Sequence, residues 1–177
     1  MADQKKGTSP YATGGGGVTL ERVYGATLLA AVLVGDPVPG LGDDMRAVRV
    51  QTQSGPSSPV DDYVVEGENA STGTSRRLSV GVRRDPTIAP GDEKFVKLLG
   101  DYVRIVIEHA TEVDADRWRL ALAVAGPHTG AAETKTLSDF ARSQPTNDSF
   151  RETVARDGVT TADVRARLQY LDKAIEA

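Results

Sequence analysis

Two charged clusters bracket the middle of the chain. Asp61-Asp62 opens the apolar, β-branched run Tyr63-Val64-Val65, and Arg83-Arg84 closes the run Arg77-Leu78-Ser79-Val80-Gly81-Val82. A strand has no structural need of paired carboxylates at its start. In the second run, strict alternation puts Leu78, Val80 and Val82 on one face and Ser79, Gly81 and Arg83 on the other. Two adjacent strands of this kind bring acids and a cation to one end of a sheet, where the open chemistry is that of opposite charges at close range. Each cluster also has a plain structural use. An Asp-Asp pair serves as the solvated end of a turn, and Arg76, Arg77, Arg83 and Arg84 serve as edge-strand charges that discourage sheet aggregation.

The elements that must position these residues follow from periodicity. Residues 1–17, with Lys5-Lys6 and Gly14 to Gly17, read as a flexible leader, because consecutive glycines are costly to order. A phosphate-loop reading fails there, since no Gly-Lys-Ser/Thr follows and no strand precedes. Thr19 is the expected cap of a first helix over 20–34, stopped by Gly35, with Glu21 in its opening turn, where an acid complements the helix dipole. Strands at 47–53, from Pro59-Val60, and at 77–84 then form an antiparallel meander linked by a turn at 54–58 and a polar loop at 67–75. Pro86 and Pro90 close it.

Asp92-Glu93 start a second helix with Phe95, Val96, Leu98, Leu99, Tyr102, Val103, Val106 and Ile107 on or near its buried face. The run 117–125, containing Trp118 as a core residue, reads as a buried central strand, bounded by Asp116 and Gly126-Pro127. Helices follow at 131–142, 148–156 and 161–177. The last is capped by Thr161 and carries Val164, Leu168, Leu171 and Ile175 as its stripe.

Composition narrows the chemistry. The 177 residues hold no cysteine, which removes disulfides, thiol catalysis and cysteine-ligated zinc; His109 and His128 are too few and too far apart for a histidine metal site, and His128 reads as an exposed loop residue. No run approaches the roughly 20 apolar residues of a membrane span. These features fit a cytoplasmic protein. A net charge of −4 gives no general attraction to nucleic acid, yet Arg76, Arg77, Arg83, Arg84, Lys94 and Lys97 cluster in one short segment, as a nucleic-acid contact would.

The fold class is α/β. The αβββαβ order, the acid in Thr19-Leu20-Glu21, the strand start Val60-Asp61-Asp62 and the Leu-x-Val-x-Val-Arg-Arg third strand together resemble the restriction-endonuclease-like PD-(D/E)xK superfamily. Within it, they resemble the nuclease-type domain at the N-terminus of bacterial antiphage effectors, including STAND-type NTPases and CBASS effector nucleases. The resemblance covers roughly 14–145. It implies a mixed sheet flanked by helices over 18–145, with 146–177 as a helical extension or the start of a following domain.

It also implies a Mg²⁺-dependent endonuclease acting on double-stranded DNA, with Mn²⁺ as a substitute, Glu21, Asp61 and Asp62 as metal ligands, and Asp61, Asp62 and Arg83 as catalytic residues. Hard oxygen ligands would hold the ion against the charge building on the phosphate. A homo-oligomer and further C-terminal domains or a partner protein are expected by the same resemblance. The sequence departs from the pattern at two places: Arg83 stands where the lysine belongs, and Gly81 where an acid or amide belongs. Arginine stays protonated and is a poor general base. The alternative is therefore a catalytically degenerate fold kept as a DNA-binding or assembly module, unless Lys94 or Lys97 takes the lysine's role.

Overall fold

A computed structural model describes residues 15–52, 62–84, 86–89, 91–125 and 129–176. The expectations for Lys5, Lys6, Gly14, the turn at 54–58, Pro59, Val60, Asp61, Pro90 and His128 lie outside the described residues. In chain order the elements are α1 (Gly15–Val34), β1 (Arg46–Thr52), β2 (Tyr63–Glu68), β3 (Ser75–Arg83), α2 (Glu93–Glu108), α3 (Ala110–Asp114), β4 (Trp118–Val124), α4 (Thr129–Ser143), α5 (Asn147–Ala155) and α6 (Ala162–Glu176). Among the described residues no helix is long and apolar enough to cross a membrane. The chain divides into two compact units, Met1–Arg84 with Ile105–Ala123, and Asp85–Arg104 with Val124–Ala177.

The first unit holds a mixed four-stranded sheet in the order β1-β2-β3-β4. β1, β2 and β3 form the expected antiparallel meander, and a bulge at Val48 shifts the β1–β2 register between Ala47 and Arg49. α1 packs across one face: Leu28 and Ala31 meet Val65, Leu78, Val80 and Val82, joined by Val38, Leu41 and Met45 from the connection after the helix. Gly35, at φ 78, ends α1 by giving its N–H to the Ala31 carbonyl, which also accepts from Asp36. On the other face the Trp118 indole lies against His109, with ring centroids 4.5 Å apart, and donates to Ser79 Oγ at 3.0 Å.

Several boundaries differ from the sequence reading. α1 begins at Gly15, so Thr19 lies inside it rather than capping it. β2 begins at Tyr63, which leaves Asp62 in the bend before the strand. β4 stands at an edge of the described sheet, not at its centre, and six of its seven residues are half-buried; a continuous apolar run does not by itself distinguish the two positions. In α2 the buried positions are Phe95, Leu98, Asp101 and Ile105, whereas Val106 and Ile107 are exposed. The polar Asp101 hid that seam from a reading by hydrophobicity.

In the second unit, Asp92 caps α2 through the Phe95 N–H at 2.9 Å, and buried Asp101 takes Lys97 and Arg104 as ion-pair partners. α4, α5 and α6 close around Leu137, Val154 and Val164, with Phe140, Phe150, Leu168 and Leu171 packed on them. Ala174 is buried in place of the expected Ile175, which is exposed. Thr161 caps α6 as expected, accepting from the Val164 N–H. Glu133 and Arg167 join α4 to α6 at 3.0 Å, and Arg167 Nη1 also donates to the Ile88 carbonyl.

Candidate functional site

The last residue pair in the β2–β3 ladder is Tyr63 with Val80, so Asp62 stands next to Gly81 as the chain enters β2. Its Oδ2 accepts the Val82 N–H at 2.6 Å and Arg83 Nη1 at 2.7 Å. The carboxylate thus ties a backbone donor of β3 to a cation. Arg83 Nη1 also reaches the Val82 carbonyl at 2.8 Å. The Asp62 side chain is mostly buried and that of Arg83 is about one-third exposed, so the pair opens to solvent on its arginine side.

Tyr63 links this pair to α1. Its hydroxyl donates to the Glu21 carbonyl at 2.7 Å, and its ring lies 5.9 Å from that of Tyr24. The approach requires Gly25: a Cβ there would stand 2.8 Å from Tyr63 Cζ, closer than any real contact. A glycine in the middle of a helix costs about 1 kcal/mol relative to alanine, and close packing of Tyr63 is what it allows. Burial pushes the Tyr63 phenol up from its ordinary value, and the negative charges of Glu21 and Asp62 push it further. The phenol therefore stays a donor, within the field of both carboxylates.

The structure brings Glu21, Asp62 and Arg83 to one end of the sheet. Asp61 lies outside the described residues. The four arginines do not form one cluster. Arg76 and Arg77 are at the far end of β3 from Arg83 and Arg84, and Lys94 and Lys97 belong to the second unit. Lys94 is exposed there. The Lys97 amine is held by Asp101 at 3.0 Å, one turn along its own helix. Arg84 is exposed at the end of β3.

Arg76 is a clamp: it donates to the Leu41 carbonyl at 2.7 Å and to the Asp116 carbonyl and Oδ2, each at 2.8 Å, and pairs with Asp44 at 3.3 Å. Arg77 lies over the Trp118 ring at 4.6 Å. Beside it opens a cleft of about 640 Å³ whose wall includes Glu66, Glu68, His109, Glu112 and Arg117. Its charges are of both signs. Sequence reasoning missed Tyr63 and Gly25, whose roles need the helix–strand distance, and Asp116, whose partners Arg76 and Arg119 join it from β3 and β4.

For a divalent cation, Glu21 and Asp62 are donors of the right type. Arg83 competes, because it already neutralises Asp62 Oδ2. Among the described residues no three carboxylates or histidines gather to hold an ion. Comparison with known protein families, with curated proteins and with solved structures finds no match to this chain.

Proposed function

We propose that this chain is a PD-(D/E)xK, restriction-endonuclease-like domain that cuts double-stranded DNA as an effector of bacterial antiphage defence, with Mg²⁺ as its cofactor. The observation that carries the reading is the Asp62–Arg83 contact at 2.7 Å, at the end of the β2–β3 hairpin to which Tyr63 also ties Glu21. The element order, αβββαβ with the short α3 added before β4, supports it. Glu21 and Asp62, with Asp61, would hold the ion, which when bound offsets charge on the phosphate and activates a water. Arg83 stays protonated, so its part is to bind the phosphate rather than to take a proton. Asp62 fixes the orientation of that guanidinium, and Tyr63 fixes the segment that carries Glu21.

A second reading, a degenerate nuclease fold retained for DNA binding or assembly, is favoured by two features: Gly81 brings no side chain to Asp62, and Arg83 already neutralises it. One gel separates the two. Supercoiled and linear duplex DNA are incubated with Mg²⁺ or Mn²⁺ and either the native chain or the Asp61→Ala/Asp62→Ala variant. Cutting that is lost in the variant supports the nuclease. Retarded mobility without cutting leaves the binding module, and neither effect removes DNA from both readings.

A further inference from the structure

The face of the sheet turned away from α1 carries the cleft of about 640 Å³ beside Trp118. β2 turns Val65 toward α1, so alternation sets Glu66 and Glu68 on the opposite face; Leu78 and Val80 likewise leave Ser75 and Arg77 there on β3. These residues form the cleft floor. Glu66 stands between two arginines, Arg49 at 3.5 Å and Arg77 at 3.8 Å, and is neutralised by them. Arg77 is further held by the Trp118 ring beneath it.

The remaining charges of the cleft are not matched. Glu68, the next acid on the same strand face, is exposed, and Glu112 and Arg117 stand in the wall. Among the described residues, none of these three side chains has an ion-pair or hydrogen-bond partner. Their backbone is nonetheless fixed: the Arg117 N–H donates to the Glu112 carbonyl and the Arg77 N–H to the Arg117 carbonyl, each at 2.7 Å. The cleft falls in the roughly 300–1,000 Å³ range of small-ligand sites. A simple anion would meet Glu68 and Glu112 there, and a simple cation would meet Arg117. The complementary ligand carries two cationic groups and one carboxylate.

We propose that this cleft binds a basic residue with a free α-carboxylate, the carboxylate on Arg117 and the two cations on Glu68 and Glu112. Free arginine or lysine has that set of charges in its side chain, α-ammonium and α-carboxylate. A short peptide ending in arginine has it too, with its N-terminal ammonium as the second cation. A guanidinium and a carboxylate pair through two parallel hydrogen bonds, which orients the ligand as well as holding it. Arg77 lies about 20 Å along β3 from Arg83, so the proposal is independent of the nuclease reading.

Trp118 is the single tryptophan of the chain, so its fluorescence, alongside calorimetry, reports binding at the cleft. The probes are L-arginine, L-citrulline, agmatine, and Gly-Gly-Arg with a free or an amidated C-terminus, each to about 10 mM. The expected result is saturation by L-arginine or Gly-Gly-Arg with a Kd of about 1 mM or tighter. Citrulline, which keeps the shape and loses the side-chain charge, and agmatine, which loses the carboxylate, bind about tenfold more weakly. Arg117→Gln removes the difference between arginine and agmatine, and Glu68→Gln and Glu112→Gln each weaken arginine about fivefold, with circular dichroism verifying folding. Tighter binding of Gly-Gly-Arg than of L-arginine, lost on amidation, identifies a peptide end as the source of the ligand; the reverse order identifies the free amino acid. Absence of saturation by both overturns the proposal. So does agmatine binding as tightly as arginine, the result of general attraction of a dication to acids, and so does binding indifferent to Arg117→Gln and Glu112→Gln.

Discussion

β3 enters the sheet with Arg76 and leaves it with Arg83, and each arginine meets an aspartate from another segment. At the entry, the Arg76 side chain is 14% exposed and its donors end on Leu41, Asp44 and Asp116; Asp116 in turn holds Arg119 by two bonds of 2.6 and 2.8 Å and stands at φ 56, a conformation costly for a non-glycine residue. At the exit, Arg83 engages Asp62 and Val82 through one nitrogen, Nη1, and remains partly open to solvent. The same residue types therefore serve two ends. A guanidinium whose bonds close a loop onto a sheet is a structural clamp, whereas one that leaves a face to water beside a carboxylate is available to an anion. Burial and partner count separate the two, and charge alone does not.

Arg76→Ala provides the largest contrast. Losing the clamp leaves the Leu41 and Asp116 carbonyls without the guanidinium that they accept from and Asp116's carboxylate with Arg119 alone, so urea denaturation should show a loss of about 3 kcal/mol, while, on the proposed reading, DNA retention by the folded fraction is unchanged. Equal retention losses for Arg76→Ala and Arg83→Ala would break the distinction between the ends. Asp62→Ala should cost about 2 kcal/mol, since the Val82 N–H and Arg83 both lose their acceptor. Asp62→Asn keeps an acceptor for the amide and should recover about half of that in the same titration. On the proposed nuclease reading, Arg83→Lys should change stability by less than about 1 kcal/mol, yet raise the rate of cutting with Mg²⁺, because an amine can lose its proton once DNA covers the site and a guanidinium cannot. Unchanged cutting in Arg83→Lys would put the departure from the nuclease pattern elsewhere.

The smallest effect is on pH. Hydrogen bonds from Arg119, followed by its charge and that of Arg76, hold the Asp116 carboxyl below the usual carboxylate range. A depressed folded value contributes stability that is present above the unfolded value of about 4 and is lost as pH falls through the folded one. The melting temperature should therefore decline below about pH 4, and Asp116→Asn, which tolerates the positive φ, should flatten part of that decline.

Much of the chain was legible because its signals are local. Alternation placed Leu78, Val80 and Val82 on the core face of β3, Gly35 marked the end of α1, and Thr161 capped α6. The approach of Asp62 to Arg83 was also foreseeable, since a meander sets the start of one strand against the end of the next. Other features were not legible because they depend on distance between segments. The Tyr63 hydroxyl finds Glu21 across 42 residues of sequence, and Gly25 has no meaning until that ring lies on it. Position in the sheet was equally hidden: β4 is as apolar as a central strand and sits at an edge of the described sheet.

By itself the sequence determined the kinds of element, their order apart from the short α3, and the face that β3 turns inward, because periods of 2 and 3.6 are properties of the backbone. Only the tertiary structure decided which charges are partners. It separated Arg76 from Arg83 along one strand, committed Lys97 to Asp101, and joined Glu21, Tyr63 and Asp62. Pairing depends on the angstroms between side chains, and those are set by packing rather than by position along the chain.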